Sequence, residues 1–198
     1  MSHVDEWWDL LDADRRPTGR TVRRGAVVAG GGIDLQPDDF HLVVVVVVFG
    51  PDGRVLIQQR VADKEFFPGY WDVTAGGSVL AGETSQQGAA RELAEEVGIE
   101  IDLTGVRPAL TLSVYGGFDD FYVVDAPEGL DITALRLQEA EVAAVRWADK
   151  AEITALIDQG RFLPYQSGFI DLVFSLHDRP DSLRWRPTRP SPGATSGQ

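Results

Sequence analysis

The run Leu42–Phe49 (LVVVVVVF) contains no polar residue. A strand with one wet face alternates apolar and polar positions, so an unbroken run predicts a strand covered on both faces. It is too short to cross a bilayer, which takes about 20 apolar residues in a helix. Gly50–Gly53 (GPDG) reads as a turn, and Arg54–Arg60 (RVLIQQR) as the strand paired with the run. Trp71–Ala75 predicts a short strand. Val106–Tyr115 and Phe121–Val124 predict a hairpin with Gly116 and Gly117 near its turn, leaving Asp119 and Asp120 as turn residues. Ala144–Trp147 is the last predicted strand.

Helical spacing appears in three places. Glu83–Val97 follows a Gly-rich loop and stops at Gly98, with Ala90, Leu93, Ala94 and Val97 offering an apolar face for a sheet. Lys150–Gln159 is ended by Gly160, and Gln166–His177 forms the third. At the N-terminus, Trp7–Arg24 reads as a hairpin: a strand WDLLD, a turn through Asp14, Pro17 and Gly19, and a strand RTVRR. Residues 26–39 read as a loop, and 179–198, with four Pro among Ser, Gly and Thr, as a disordered tail. The order implies an α/β fold, an α/β/α sandwich around a mixed sheet with an N-terminal β-hairpin extension. One domain is expected over residues 1–178, with 1–39 as extension and 40–178 as catalytic core.

Composition narrows the chemistry. The chain has 198 residues and no Cys, which excludes disulfides, thiolate zinc sites and cysteine nucleophiles. A net charge of −13 opposes binding to nucleic acid polymers or anionic membranes. The acidic, Trp-rich start is unlike a secretory leader, so a cytoplasmic enzyme is expected.

The candidate chemistry sits in Gly76–Ile99, GGSVLAGETSQQGAARELAEEVGI. On a helix, Glu92, Glu95 and Glu96 fall at i, i+3 and i+4 and share a face. Three carboxylates so close repel one another, and a hard divalent cation such as Mg²⁺ relieves that repulsion through oxygen ligands. Gly76 and Gly77 let backbone approach a metal or phosphate closely. The alternative is a solvated acidic helix face, which a lone E-x-x-E-E would usually be. Here Gly77, Glu83, Arg91, Glu92, Leu93, Glu95, Glu96, Gly98 and Ile99 stand at the offsets G-x5-E-x7-R-E-U-x-E-E-x-G-U, where U is bulky and apolar.

That spacing resembles a complete Nudix box. The resemblance implies a hydrolase of diphosphate linkages that uses Mg²⁺ or Mn²⁺ on a small-molecule nucleotide. It implies metal ligands among Glu92, Glu95 and Glu96 and the backbone carbonyl near Gly77. It makes Arg91 and Glu83 supports that orient the glutamates, with Glu83 also near enough to approach the metal. It leaves the general base open among the three glutamates, with Glu92 preferred. A later carboxylate, Glu139 or Glu141, is the candidate further ligand, with Glu141 favoured.

Beyond the box, the segments starting at Trp8 (WDLLDADRRPTGRTVRRG), Phe40 (FHLVVVVVVFGPDGRVLIQQR) and Asp63 (DKEFFPGYWDVTAGGSV) resemble the isopentenyl-diphosphate-isomerase-like branch. True isomerases carry an essential Cys where Gly76 stands here. Of their metal-site histidines, His41 matches one, Ser78 replaces a second and Asp34 or a neighbour a third. The missing proton donor and the intact box favour hydrolysis over isomerisation. A non-catalytic nucleotide sensor is the third reading.

Arg60 and Lys64 match basic residues that hold diphosphate in the isomerases, and Arg23 and Arg24 are weaker candidates. Among the aromatic residues, Phe66 and Tyr115 are the candidate substrate contacts, whereas Trp71 reads as core. His41 reads as structural. The paired Trp7 and Trp8 of the extension suggest a homodimer contact. Nucleoside triphosphates, nucleoside diphosphates, ADP-ribose, dinucleotide polyphosphates and coenzyme A derivatives all remain open as substrates.

Overall fold

The computed structural model describes residues 6–24, 27–28, 32–33, 35–114, 116–166 and 168–178. The expected tail over 179–198, Tyr115 and Asp34 lie outside the described residues.

An antiparallel hairpin, β1 (Trp7–Leu11) and β2 (Pro17–Arg23), opens the chain. The turn is shorter than the sequence suggests. Pro17 and Gly19 lie within β2, where Pro17 faces Leu11 next to a register shift. A β-bulge of this kind tolerates a Pro that a regular ladder would not. The stretch expected to be loop holds a two-residue ladder, β3 (Val27–Val28) with β4 (Gly32–Ile33).

The body is a mixed sheet. Its strands are β5 (His41–Phe49), β6 (Val55–Arg60), β7 (Trp71–Asp72), β8 (Ala75–Ser78), β9 (Leu110–Val114), β10 (Gly117–Asp125) and β11 (Val142–Ala148). The main path runs β11-β6-β5-β10-β9, with β7 on β6 and β8 on β5. Among the described strand pairs, β5 and β10 alone run parallel. The predicted β5–β6 hairpin is therefore pinched at its base alone, at Phe49 and Val55. Further along, β5 pairs with β8 from Val43 to Val46. This brings the strand before the acidic helix into the middle of the sheet.

Both faces of β5 are covered, as its composition predicts. Val44, Val46 and Val48 pack with Leu56, Leu93 and Val97 under α1 (Ser85–Val97). Val47 and Phe49 pack with Ile57, Ile153 and Val173 on the other side, under α2 (Lys150–Asp158) and α3 (Phe169–Asp178). This is the α/β/α sandwich expected.

Helix α1 begins two residues later than the spacing suggests, because Thr84 caps it. Its hydroxyl accepts from the Gln87 N–H, and the Gln87 side chain accepts from the Thr84 N–H. Such a cap is worth about 1 kcal/mol. Gly98 ends the helix at φ 72°, a left-handed position that suits glycine. The buried face is Gly88, Ala89, Leu93, Glu96 and Val97, so Ala94 lies off it and a carboxylate lies on it.

The N-terminal hairpin is locked to the body. Leu11 and Phe40 exchange backbone hydrogen bonds, and Arg20 pairs with the buried Asp39. Arg15 donates to Asp120 at 2.8 Å. Asp120 is 1% exposed and also accepts from Thr111 and Ser85, so it is a buried strand residue rather than a turn residue. Asp119 likewise lies within β10. Trp8 is buried and stacks on His41 with ring centroids 5.2 Å apart, while Trp7 is exposed. The Trp pair thus splits between core and surface.

Candidate active site

Strand β8 and helix α1 meet at Gly77. A Cβ built there would stand 2.4 Å from the Glu92 carboxylate, so the acid lies directly against bare backbone. Glu96, on the buried face of the same helix, accepts from the Gly76 N–H at 3.2 Å and from Gln58 Nε2 at 2.9 Å. Burial pushes its carboxyl up to about 7, with Glu92 beside it adding to the rise and the two donors opposing it. Burial also raises Glu92, against the pull of Arg91. Glu95 is more exposed, at 54%.

Arg91 organises the acids. Its guanidinium donates to Glu83 at 2.9 and 3.0 Å, to Glu92 at 2.7 Å, to Glu95 at 3.4 Å and to the Ser78 carbonyl at 3.0 Å. Glu83 also accepts from the Leu80 N–H, closing the loop that enters the helix. A planar fork suits this task where a single ammonium would not. Among the described residues no three acidic or His side chains converge on one point.

The cations lie beside the acids. Lys64 is in contact with Glu141, and both are largely buried. Burial lowers the Lys64 ammonium, as do the neighbouring Arg60 and Arg24 charges, whereas Glu96 and Glu92 raise it. Lys64 therefore senses both box acids and two guanidinium groups. Glu141, the candidate later metal ligand, is the acid that Lys64 contacts. Arg60 donates through Nε to the Phe66 carbonyl at 3.1 Å. The Phe66 ring is 59% exposed. Trp71 is core, with Arg146 over its ring. His41 is structural: its Nδ1 lies 3.0 Å from the Gly116 carbonyl, and burial lowers its pKa.

Three residues of this region escaped the sequence reading. Gln58, Asp72 and Tyr165 all face the site or the pocket beside it. Gln58 is buried, and its Oε1 has no hydrogen-bond partner among the described residues. The signal for Gln58 and Asp72 was a polar residue at an inward position of an apolar strand. Tyr165, in an irregular segment, carried no such signal.

Known proteins resemble most of this chain. A match to the NUDIX domain spans residues 39–166. An uncharacterised Nudix hydrolase of Listeria monocytogenes is 43% identical over 171 residues, covering 86% of this chain and 95% of the relative. An isopentenyl-diphosphate Delta-isomerase of Nocardia farcinica is 36% identical over 147 residues, covering 70% of this chain and 81% of the relative. A Deinococcus radiodurans crystal structure shares the fold, with a TM-score of 0.62 at 20% identity over 85% of this chain and 97% of that one. With the box in place on its helix, these similarities show that the chain belongs to the Nudix hydrolase family, enzymes of phosphorus anhydride bonds.

Proposed function

We propose that the protein is a Mg²⁺- or Mn²⁺-dependent hydrolase that cleaves a diphosphate linkage in a nucleoside diphosphate-type substrate. The observation that supports this best is the Glu92 carboxylate lying on the bare backbone of Gly77. That contact sets a carboxylate against the backbone of β8, and carboxylates and backbone carbonyls are the oxygen donors that a hard divalent cation takes.

The residues fit such an ion. Glu92, Glu95, Glu96 and the Gly77 carbonyl would hold it, with the three carboxylates, which do not converge on one point without the ion, drawn together around it. The raised carboxyls of Glu92 and Glu96 mark two acids held in a setting that disfavours their charge, which a cation relieves. When bound, the ion polarises phosphate oxygens and lowers the pKa of a bound water.

The chain's own groups supply the rest. Glu92 accepts the proton of the attacking water. Arg91, anchored by Glu83, positions Glu92 and Glu95. Lys64 and Arg60 set positive charge beside the diphosphate, and Glu141 holds Lys64 in place rather than binding the metal. These local cations offset the overall charge of −13. Phe66 offers an exposed aromatic face to the leaving portion.

Isomerisation is disfavoured because Gly76 offers no side chain where the proton transfer needs one. A sensor role is disfavoured by the complete carboxylate set. The test is release of phosphate and monoester from a panel of nucleoside diphosphate derivatives and isopentenyl diphosphate, with and without Mg²⁺ or Mn²⁺. Metal-dependent cleavage of a nucleotide class is expected. Proton exchange on isopentenyl diphosphate without any hydrolysis would overturn the reading.

A further inference from the structure

A pocket of about 280 Å³ opens beside β8. Gly76–Ser78 form part of its wall, and Gly77 within that stretch also lies against Glu92 of α1. Val43, Val45, Phe121 and Leu163 make the wall largely apolar. Asp72, Asp119 and Tyr165 supply most of its polarity.

The Asp72 carboxylate is half satisfied. It accepts from the Val73 N–H at 2.7 Å and from the Tyr165 hydroxyl at 2.9 Å, and both bonds fall on Oδ1. Neither reaches Oδ2. The Asp119 carboxylate takes no hydrogen bond among the described residues, and burial together with Asp120 beside it raises its pKa. Partly desolvated acceptors without donors are costly until a donor arrives. Tyr165 is fixed by its bond to Asp72 and by stacking on Phe169 at 4.9 Å.

We infer that this pocket binds the non-phosphate end of the substrate and selects groups that present N–H or O–H donors to Asp72 and Asp119. The inference rests on the hydrolase reading above and names its specificity. Two carboxylates repel phosphate, so the diphosphate lies on the side of Arg60 and Lys64. Arg60 stands on β6 two residues beyond Gln58, the strand partner of Asp72, and its charge opposes the rise of the Asp72 carboxyl. The volume suits one ring system rather than a second nucleotide. The Phe121 and Tyr165 rings suit a flat group. The donor comes from one of two sources: the amino face of a nucleobase, or the hydroxyls of a sugar.

The test is calorimetric titration of the full chain, in Mg²⁺, with α,β-methylene diphosphates that resist cleavage. Matched pairs are adenosine against purine riboside and guanosine against inosine, which differ only in an exocyclic amino group, each as riboside and deoxyriboside. A donor on the base predicts that the amino member of each pair binds about tenfold tighter or better. A donor on the sugar predicts the same margin for riboside over deoxyriboside. Asp72→Asn, which can donate where Asp72 only accepts, is expected to erase the margin or turn it toward the members without the amino group. Equal binding of every pair, tighter binding of the members without the amino group by the unaltered chain, or no binding would overturn the inference. The unaltered chain alone decides this even if the variant fails to fold. Hydrolysis without donor selectivity would sink this inference alone, and donor-selective binding without hydrolysis would sink the hydrolase reading alone.

Discussion

Gly77 and Glu92 occupy one another's space: the carboxylate fills the volume that any side chain on Gly77 would need, 2.4 Å from an ideal Cβ. Gly77 is thus required for room rather than for backbone freedom. Gly77→Ala is expected to displace Glu92 and reduce kcat/KM by about 100-fold, since a misplacement of an ångström can cost that much. Circular dichroism should show the fold retained. Activity within twofold of the parent would contradict the contact.

Arg91 holds Glu83 and Glu92 at once, and a lysine has no fork to do so. Arg91→Lys should lower activity or metal affinity by about 10- to 100-fold, the usual effect of losing an outer partner of a metal ligand. Titration of activity against Mn²⁺ would separate the two. An unchanged metal curve and rate would show that the fork does not position the acids.

Asp72 gives a pH test with a definite sign. Burial raises its carboxyl from 3.8 to about 6, against the bonds from Tyr165 and Val73. A raised folded pKa stabilises the protonated form, so the group's favourable contribution is complete below about pH 4 and is lost as pH rises through 6. Above that, the charged carboxylate costs up to about 3 kcal/mol relative to a neutral isostere. Asp72→Asn should therefore raise Tm at pH 8, with the gain vanishing near pH 4. A gain at pH 4 that disappears at pH 8 would reverse the assignment.

The hairpin clamp is testable separately. Arg15 is partly exposed, but Asp120 is buried, so removing the cation strands a desolvated charge with only hydroxyl donors. Arg15→Ala should cost about 2 kcal/mol in urea denaturation, less than a fully buried pair because water reaches the Arg side. A change below about 0.5 kcal/mol, the level of an ordinary surface pair, would show that the clamp adds nothing.

The sandwich was legible because β5 is apolar on both faces and α1 carries a cap, a face and a Gly stop. The acidic constellation was legible from helical spacing. Pairing was harder. Nothing local in GPDG indicates that β5 leaves β6 after one residue pair for β8, or that its other edge takes β10 in parallel, because non-local pairing is set by the whole sheet. The same gap misplaced Asp119 and Asp120, whose strand was read as starting at Phe121. Glu141 could not be read as a partner of Lys64, since they lie far apart in sequence and meet only once β11 pairs with β6. Tyr165 becomes visible only when its segment folds back over Asp72.

At the heart of the proposed function, the glutamates of α1 act through a divalent ion on a diphosphate. Phosphate and monoester release from nucleoside diphosphate derivatives, followed as Mg²⁺ is titrated into the native chain and into Glu96→Gln, tests it most directly. The account predicts saturable, metal-dependent release by the native chain. It predicts background rates for the variant, whose thermal stability without metal should be at least that of the parent because a buried carboxylate has become neutral. Full metal-dependent turnover by a folded Glu96→Gln protein would contradict it.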